Sequence, residues 1–150
     1  MNIKVTGRSL ALAILAAGSL IAAPLEMTVF KTKTCGCCGK WVEHIRSSGF
    51  KITVNEVPST AEHRQKYGVP EKLQSCHTAI VNGYSIEGHV PATEIQRLLK
   101  EKPKAKGLAV PGMPMGSPGM EGSRRDAYAV VRFDEDGSSS VYQKYPGEAR

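Results

Sequence analysis

The spacing of apolar residues changes several times along this chain, and each change marks an element. Met27 to Lys31 has the β-branched and aromatic composition of a strand. Over 39–48 the period lengthens: Trp41, Val42 and Ile45 fall on one helical face, and Gly49 stops the helix. Lys51 to Val57 returns to a loose alternation of Ile52, Val54 and Val57, a second strand. Ser59 or Thr60 caps a short helix over 61–67, closed by Gly68. Strands over 78–81 and 84–87 flank Asn82-Gly83, the strongest short hairpin signal. Pro91 and Ala92 then open a helix that buries Ile95, Leu98 and Leu99. The segment 107–122 predicts a loop, because five glycines and three prolines oppose regular structure. Finally, 128–133 and 140–145 around Asp136-Gly137 predict a terminal hairpin within 127–146.

This order, β-α-β-α-β-β-α with cysteines at the first strand-to-helix turn, predicts an α/β fold of the thioredoxin-like, more narrowly glutaredoxin-like, kind. The Gly/Pro/Met loop and the C-terminal hairpin are additions to that sandwich. Ahead of it, residues 1–23 read as a secretory signal. Lys4 and Arg8 supply a positive start, an apolar stretch begins at Leu10, and small residues follow. The apolar stretch is shorter than the ~20 residues a membrane span needs. Residues 24–150 then form one domain, soluble in a periplasm or an equivalent space.

The formal charge of +6 falls to about +4 once Lys4 and Arg8 are set aside, and the basic residues are scattered. Nucleic acid is therefore not an expected partner, nor is a membrane after signal cleavage. An oxidising compartment permits disulfides among the four cysteines.

Chemistry concentrates at Cys35-Gly36-Cys37-Cys38, with Cys76-His77 as a second, smaller focus. Three thiols in four residues exceed the two that a disulfide uses. Placed at a helix start, they become thiolates at neutral pH, which serve both as nucleophiles and as metal ligands. Two chemistries remain open on this ground. Cys35 and Cys38 form the C-x-x-C of oxidoreductases, whereas the triple with Cys76 suits a soft ion such as Cu(I), with one sulfur bridging to a second ion. Cys76-His77-Thr78 occupies the place where glutaredoxin-like proteins present a proline facing the cysteine turn. Pro70 is too far upstream to substitute, which counts against disulfide exchange.

If Asn82-Gly83 is a two-residue turn, paired residue numbers sum to 165. Cys76 then lies opposite His89, and His77 points to the other face unless a bulge near Gly88 swaps the two. His44 and His63 lie on helical patterns among charged neighbours and read as solvated. Met113 and Met120 add thioethers, which favour Cu(I) over zinc, while Met115 is peripheral. A zinc-stabilised interaction module would more commonly bring two separated C-x-x-C pairs, which this chain lacks.

Three motifs together resemble one family. They are Cys35-Gly36-Cys37-Cys38 with Trp41; Ser75-Cys76-His77-Thr78-Ala79 through Tyr84-Ile86-Glu87-Gly88-His89-Val90-Pro91-Ala92; and Gly107 to Pro114 with Gly116-Ser117-Pro118-Gly119-Met120-Glu121. Their order is similar to that of the CopG-type periplasmic proteins, a domain family of unknown function associated with copper resistance. The resemblance spans about residues 26–145. It implies a thioredoxin-like copper protein with Cys35, Cys37, Cys38 and Cys76 as metal ligands, joined by His89, Met113 and Met120. It further implies Cu(I)/Cu(II) interconversion, or handover of copper to an efflux system or a periplasmic chaperone. The competing expectation is a thiol-disulfide oxidoreductase.

Overall fold

The computed structural model describes residues 25–148; the expected signal over 1–23 lies outside them. Strand β1 (Leu25–Lys31) buries Met27, Val29 and Lys31 on alternate positions. Helix α1 (Gly36–Ser47) begins three residues earlier than its apolar period predicts, so Cys37 and Cys38 sit inside its first turn. Its buried stripe is Cys38, Trp41, Val42 and Ile45, the one-face spacing of an amphipathic helix. Strand β2 (Phe50–Glu56) and a six-residue helix α2 (Ala61–Lys66) follow. A single 3-10 turn over Glu71–Leu73 then leads into β3 (His77–Val81).

Strands β3 and β4 (Tyr84–Glu87) form the hairpin expected from Asn82-Gly83. Both turn residues have positive φ, +46° and +83°, as a type I′ turn requires. The register is the predicted one, with Val81 opposite Tyr84 and Thr78 opposite Glu87. Helix α3 (Ala92–Glu101) follows Pro91 and buries Ala92, Ile95, Leu98 and Leu99.

The expected loop over 107–122 is not loop throughout. Gly107–Ala109 forms a short strand, β5, parallel to β4. Glycine makes this pairing possible, since a Cβ on Gly107 would overlap the Ser85 carbonyl oxygen. Strands β6 (Tyr128–Phe133) and β7 (Ser139–Tyr145) form the terminal hairpin and extend the same sheet. The seven strands run in the order β2-β1-β3-β4-β5-β6-β7, parallel at β1/β2 and β4/β5 and antiparallel elsewhere. This is a mixed α/β architecture.

The main core gathers Met27, Val29, Trp41, Ile45, Ile86, Ile95, Leu98 and Leu108. A smaller one joins Val69, Leu73, Ala109 and Phe133. The start of α1, the segment before β3 and the turn after β4 converge at the end of the sheet where β1 hands over to α1. Among the described residues no helix is long and apolar enough to cross a membrane.

Candidate metal centre

Cys35 is the residue before α1, in extended conformation, and caps the helix with no side-chain bond. The first turn then presents Cys37 and Cys38. A disulfide joins Cys35 to Cys38, while Cys37 and Cys76 are free and partly exposed. Cys37 Sγ lies 3.6 Å from Cys35 Sγ, and Cys38 Sγ lies 3.8 Å from the Cys76 carbonyl oxygen. All four sulfurs fall within 4.8 Å of one another. Two of the four are thus committed to a bond, and presenting four thiolates requires two electrons to open it.

Cys76 joins a second cluster with His77 and His89, whose ligand atoms also fall within 4.8 Å of one another. His89 is fully buried. Its Nδ1–H donates to the Pro118 carbonyl oxygen at 2.7 Å, which leaves the Nε2 lone pair facing Cys76 Sγ at 2.9 Å. A carbonyl that fixes the tautomer in this way is the usual outer partner of a metal-binding imidazole. His89 thus stands beside Cys76, as the hairpin register predicts.

His77 also stands beside Cys76, not on the opposite face that regular alternation predicts. Its Nδ1 lies 3.4 Å from Cys76 Sγ, and its ring packs on Trp41 at 4.2 Å and edge-on to His89 at 5.2 Å. Strand alternation does not govern this junction. Cys76 precedes β3, and Gly88, at φ +71°, departs from strand geometry directly opposite His77. Nε2 of His77 is buried without a partner.

Burial sets the protonation of the site. It pushes the Cys76 thiol up to about 12, reinforced by the charge of neighbouring Cys37. Burial, then proximity to His89, pulls His77 down to about 3. Burial lowers His89 as well, against the bond to Pro118. Both imidazoles are consequently neutral and hold lone pairs, and a metal taking Cys76 would displace its proton.

The glycine-proline loop straddles the cysteines. At one end Gly112 N–H donates to the Gln74 carbonyl at 3.1 Å, and its own carbonyl accepts from the Ser75 hydroxyl. At the other end Gly119, at φ +85°, lies against the first turn of α1. A Cβ there would stand 2.8 Å from both the Cys37 carbonyl oxygen and the Trp41 nitrogen. Tight turns bind the stretch between, with Met120 N–H donating to Ser117 O and Gly116 N–H to Met120 O, each at 2.8 Å. Met113 and Met120 follow directly on these two anchors. Met113 is 53% exposed, whereas Met120 is half-buried.

His44 and His63 are not solvated as their neighbours suggest. His44 Nε2 accepts from Ala92 N–H at 3.1 Å, joining α1 to the start of α3, and the His63 ring stacks on Phe30 at 4.1 Å. Trp41 is fully buried as expected, and its Nε1–H donates to the Val90 carbonyl at 2.9 Å.

Beneath Cys76 lies a residue of the second motif to which the sequence assigns no role. Glu87, fully buried, accepts from Ser75 N–H at 2.8 Å and from the Thr78 hydroxyl at 2.6 Å, with Arg64 at 3.6 Å. Burial raises its pKa while these three partners oppose the rise. The hairpin register, which sets Glu87 opposite Thr78, is the sequence signal that could have found it.

Fold and site together define a mixed α/β protein with a cysteine-histidine cluster, capped by a glycine-proline loop and able to hold a metal ion. Residues 73–120 match a family described as "Protein of unknown function, DUF411". Two solved structures are similar over 83% of this chain and 100% of theirs, both at 44% identity and a TM-score of 0.79. They are described as copper resistance protein copG, form 1 and form 2. No curated protein matches the chain significantly. At that identity and coverage the chain belongs to the CopG family.

Proposed function

We propose that this protein binds copper in a periplasm as part of copper tolerance, holding more than one Cu(I) on its cysteine cluster. The observation that carries the reading is the convergence of four sulfurs within 4.8 Å, next to an imidazole whose tautomer is fixed by Pro118. Thiolate and imidazole are soft to borderline donors, suited to Cu(I), and thiolates can bridge ions. Cys35, Cys37, Cys38, Cys76 and His89 are the ligands in this reading, with Met113 and Met120 adding thioethers from the loop. The core is of the thioredoxin-like kind, supported by the order β2-β1-β3-β4 and the cysteine turn at the start of α1.

The disulfide gives the site a redox dimension. Opening Cys35–Cys38 consumes two electrons and two protons and yields two thiols. Conversely, two Cu(II) ions can take one electron each from a dithiol, giving two Cu(I), a disulfide and two protons. Copper reduction and copper capture are thereby available to one group of side chains, and an exporter or a periplasmic chaperone would receive the ion. The same disulfide favours a second reading, thiol-disulfide oxidoreductase, against which stands Cys76 in place of a proline.

Chelator competition tests the first reading. The reduced protein should hold Cu(I) far more tightly than an unstructured two-thiol peptide and should prefer it over zinc. Affinity equal to that of the peptide, or equal preference for zinc, would overturn it.

A further inference from the structure

Cys76 has no helix to hold it. It lies between the 3-10 turn and β3, yet its sulfur is the one shared by both ligand clusters. What fixes its position is the backbone of the residue just before it. The Ser75 N–H donates to Glu87 Oε1 at 2.8 Å, and the Ser75 carbonyl accepts from Arg64 Nη1 at 2.8 Å. Both polar groups of one residue are thus gripped by the two members of a single ion pair, whose partners stand 3.6 Å apart. The second Glu87 oxygen takes the Thr78 hydroxyl at 2.6 Å, which locks the carboxylate to β3 beyond the histidine. Ser75 Oγ bonds to the Gly112 carbonyl, and the absence of a Cβ on Gly88 leaves room for the serine side chain.

An ion pair this deep is a costly device if stability is its only purpose. Charge burial offsets most of the attraction, and an apolar pair of the same volume is often as stable or more so. Glu87 is fully buried and the Arg64 side chain is 16% exposed. The directional product of the pair is the placement of the Ser75 backbone, held at the peptide units on both of its sides, and through it of Cys76. We infer that Glu87 and Arg64 are positioning residues for the metal centre, acting on Cys76 through the backbone of Ser75. The inference rests on the copper reading and adds to it a structural support outside the ligands.

Removing the clamp should cost affinity in the way that outer partners of metal ligands do, about 10–100-fold. The double variant Arg64→Met/Glu87→Gln removes both charges together and leaves neither orphaned in the core. Glu87→Gln alone keeps the shape and one acceptor. The control is Phe133→Leu, which perturbs the smaller core without touching Ser75.

Two measurements are made on the full chain, well below each variant's melting temperature. The first is Cu(I) affinity by chelator competition. The second, on reduced metal-free protein at one pH, is the iodoacetamide labelling rate of Cys76 relative to Cys37. The clamp predicts weaker Cu(I) binding and faster relative labelling of Cys76 in both variants, with neither change in Phe133→Leu. Unchanged affinity and labelling in the double variant would overturn the inference, as would equal changes in the control. Should Glu87→Gln alone not fold, the double variant decides. If the parent protein holds Cu(I) no better than a two-thiol peptide, the copper reading fails instead; the labelling ratio still judges the clamp.

Discussion

Gly119 is where the loop touches the cysteine helix, and replacing it with alanine separates close approach from backbone strain. Its φ of +85° puts any side chain in the left-handed region, at a cost of roughly 1–2 kcal/mol. Alanine also restricts the unfolded chain, which returns about 0.4–1 kcal/mol. Gly112 has the same kind of backbone, φ +68°, with open space around the missing Cβ. Gly112→Ala therefore meets only these two effects, a net loss of roughly 0–1.6 kcal/mol. At Gly119 the new methyl group also meets the Cys37 carbonyl oxygen and the Trp41 nitrogen at 2.8 Å, and the Trp41 Cα at 3.2 Å. Overpacking of this kind adds about 1–3 kcal/mol.

Urea unfolding of the reduced, metal-free proteins measures the difference, since strain and unfolded-state effects cancel between the two variants. The expected gap is about 1–3 kcal/mol, close to 1 M in midpoint at a typical slope of 1–3 kcal/mol per molar. Should the loop lift to escape the clash, the Pro118 carbonyl would leave His89 and Cu(I) affinity would fall instead of stability. Equal midpoints together with equal Cu(I) affinities would refute the reasoning that the loop is pressed onto α1.

The histidines should differ in effect. His89→Ala is expected to weaken Cu(I) binding about 10–100-fold, and His77→Ala less, because the Pro118 carbonyl holds the His89 lone pair toward Cys76 Sγ at 2.9 Å, whereas His77 Nδ1 stands at 3.4 Å; parallel titrations in which His77→Ala lost more would contradict this. His44 links α1 to α3 as an acceptor and has its pKa lowered, by burial first and against the charge of Glu121, from an ordinary 6.5. The unfolded chain therefore takes up its proton more readily, so its contribution is present above pH 6.5 and lost as pH falls below it. Unfolding measured between pH 7 and pH 5 should show a shallower loss in His44→Gln than in the parent, and identical slopes would refute the assignment. Insulin reduction by the protein should be slow and suppressed by added copper; turnover matching a dedicated thioredoxin would favour the oxidoreductase reading.

The parts of the molecule readable from sequence were those governed by local chemistry. Asn82-Gly83 admits positive φ at both positions, so the turn fixed the register and put His89 across from Cys76. The helix faces of α1 and α3 followed from apolar spacing, and the density of cysteines announced the site. What was hidden depends on contacts distant in sequence. Strand β5 exists because Gly107 can approach Ser85 across the sheet, which the composition of a glycine-proline stretch conceals. His77 joins Cys76 because regular alternation ends with the strand, where Gly88 departs from it, and the sequence does not show that departure. Glu87 carries no distinguishing mark in its strand, and only the fold brings Arg64, eleven positions before Ser75, to the same residue's backbone.

The central claim is that reduction of the cysteine cluster creates a polynuclear copper site. Anaerobic Cu(I) titration of two preparations tests it most directly, one fully reduced and one with the Cys35–Cys38 disulfide closed and Cys37 and Cys76 free. The reduced protein should bind more than one Cu(I) per chain, and the disulfide form at most one, more weakly. Equal stoichiometry and affinity in the two forms would contradict the account.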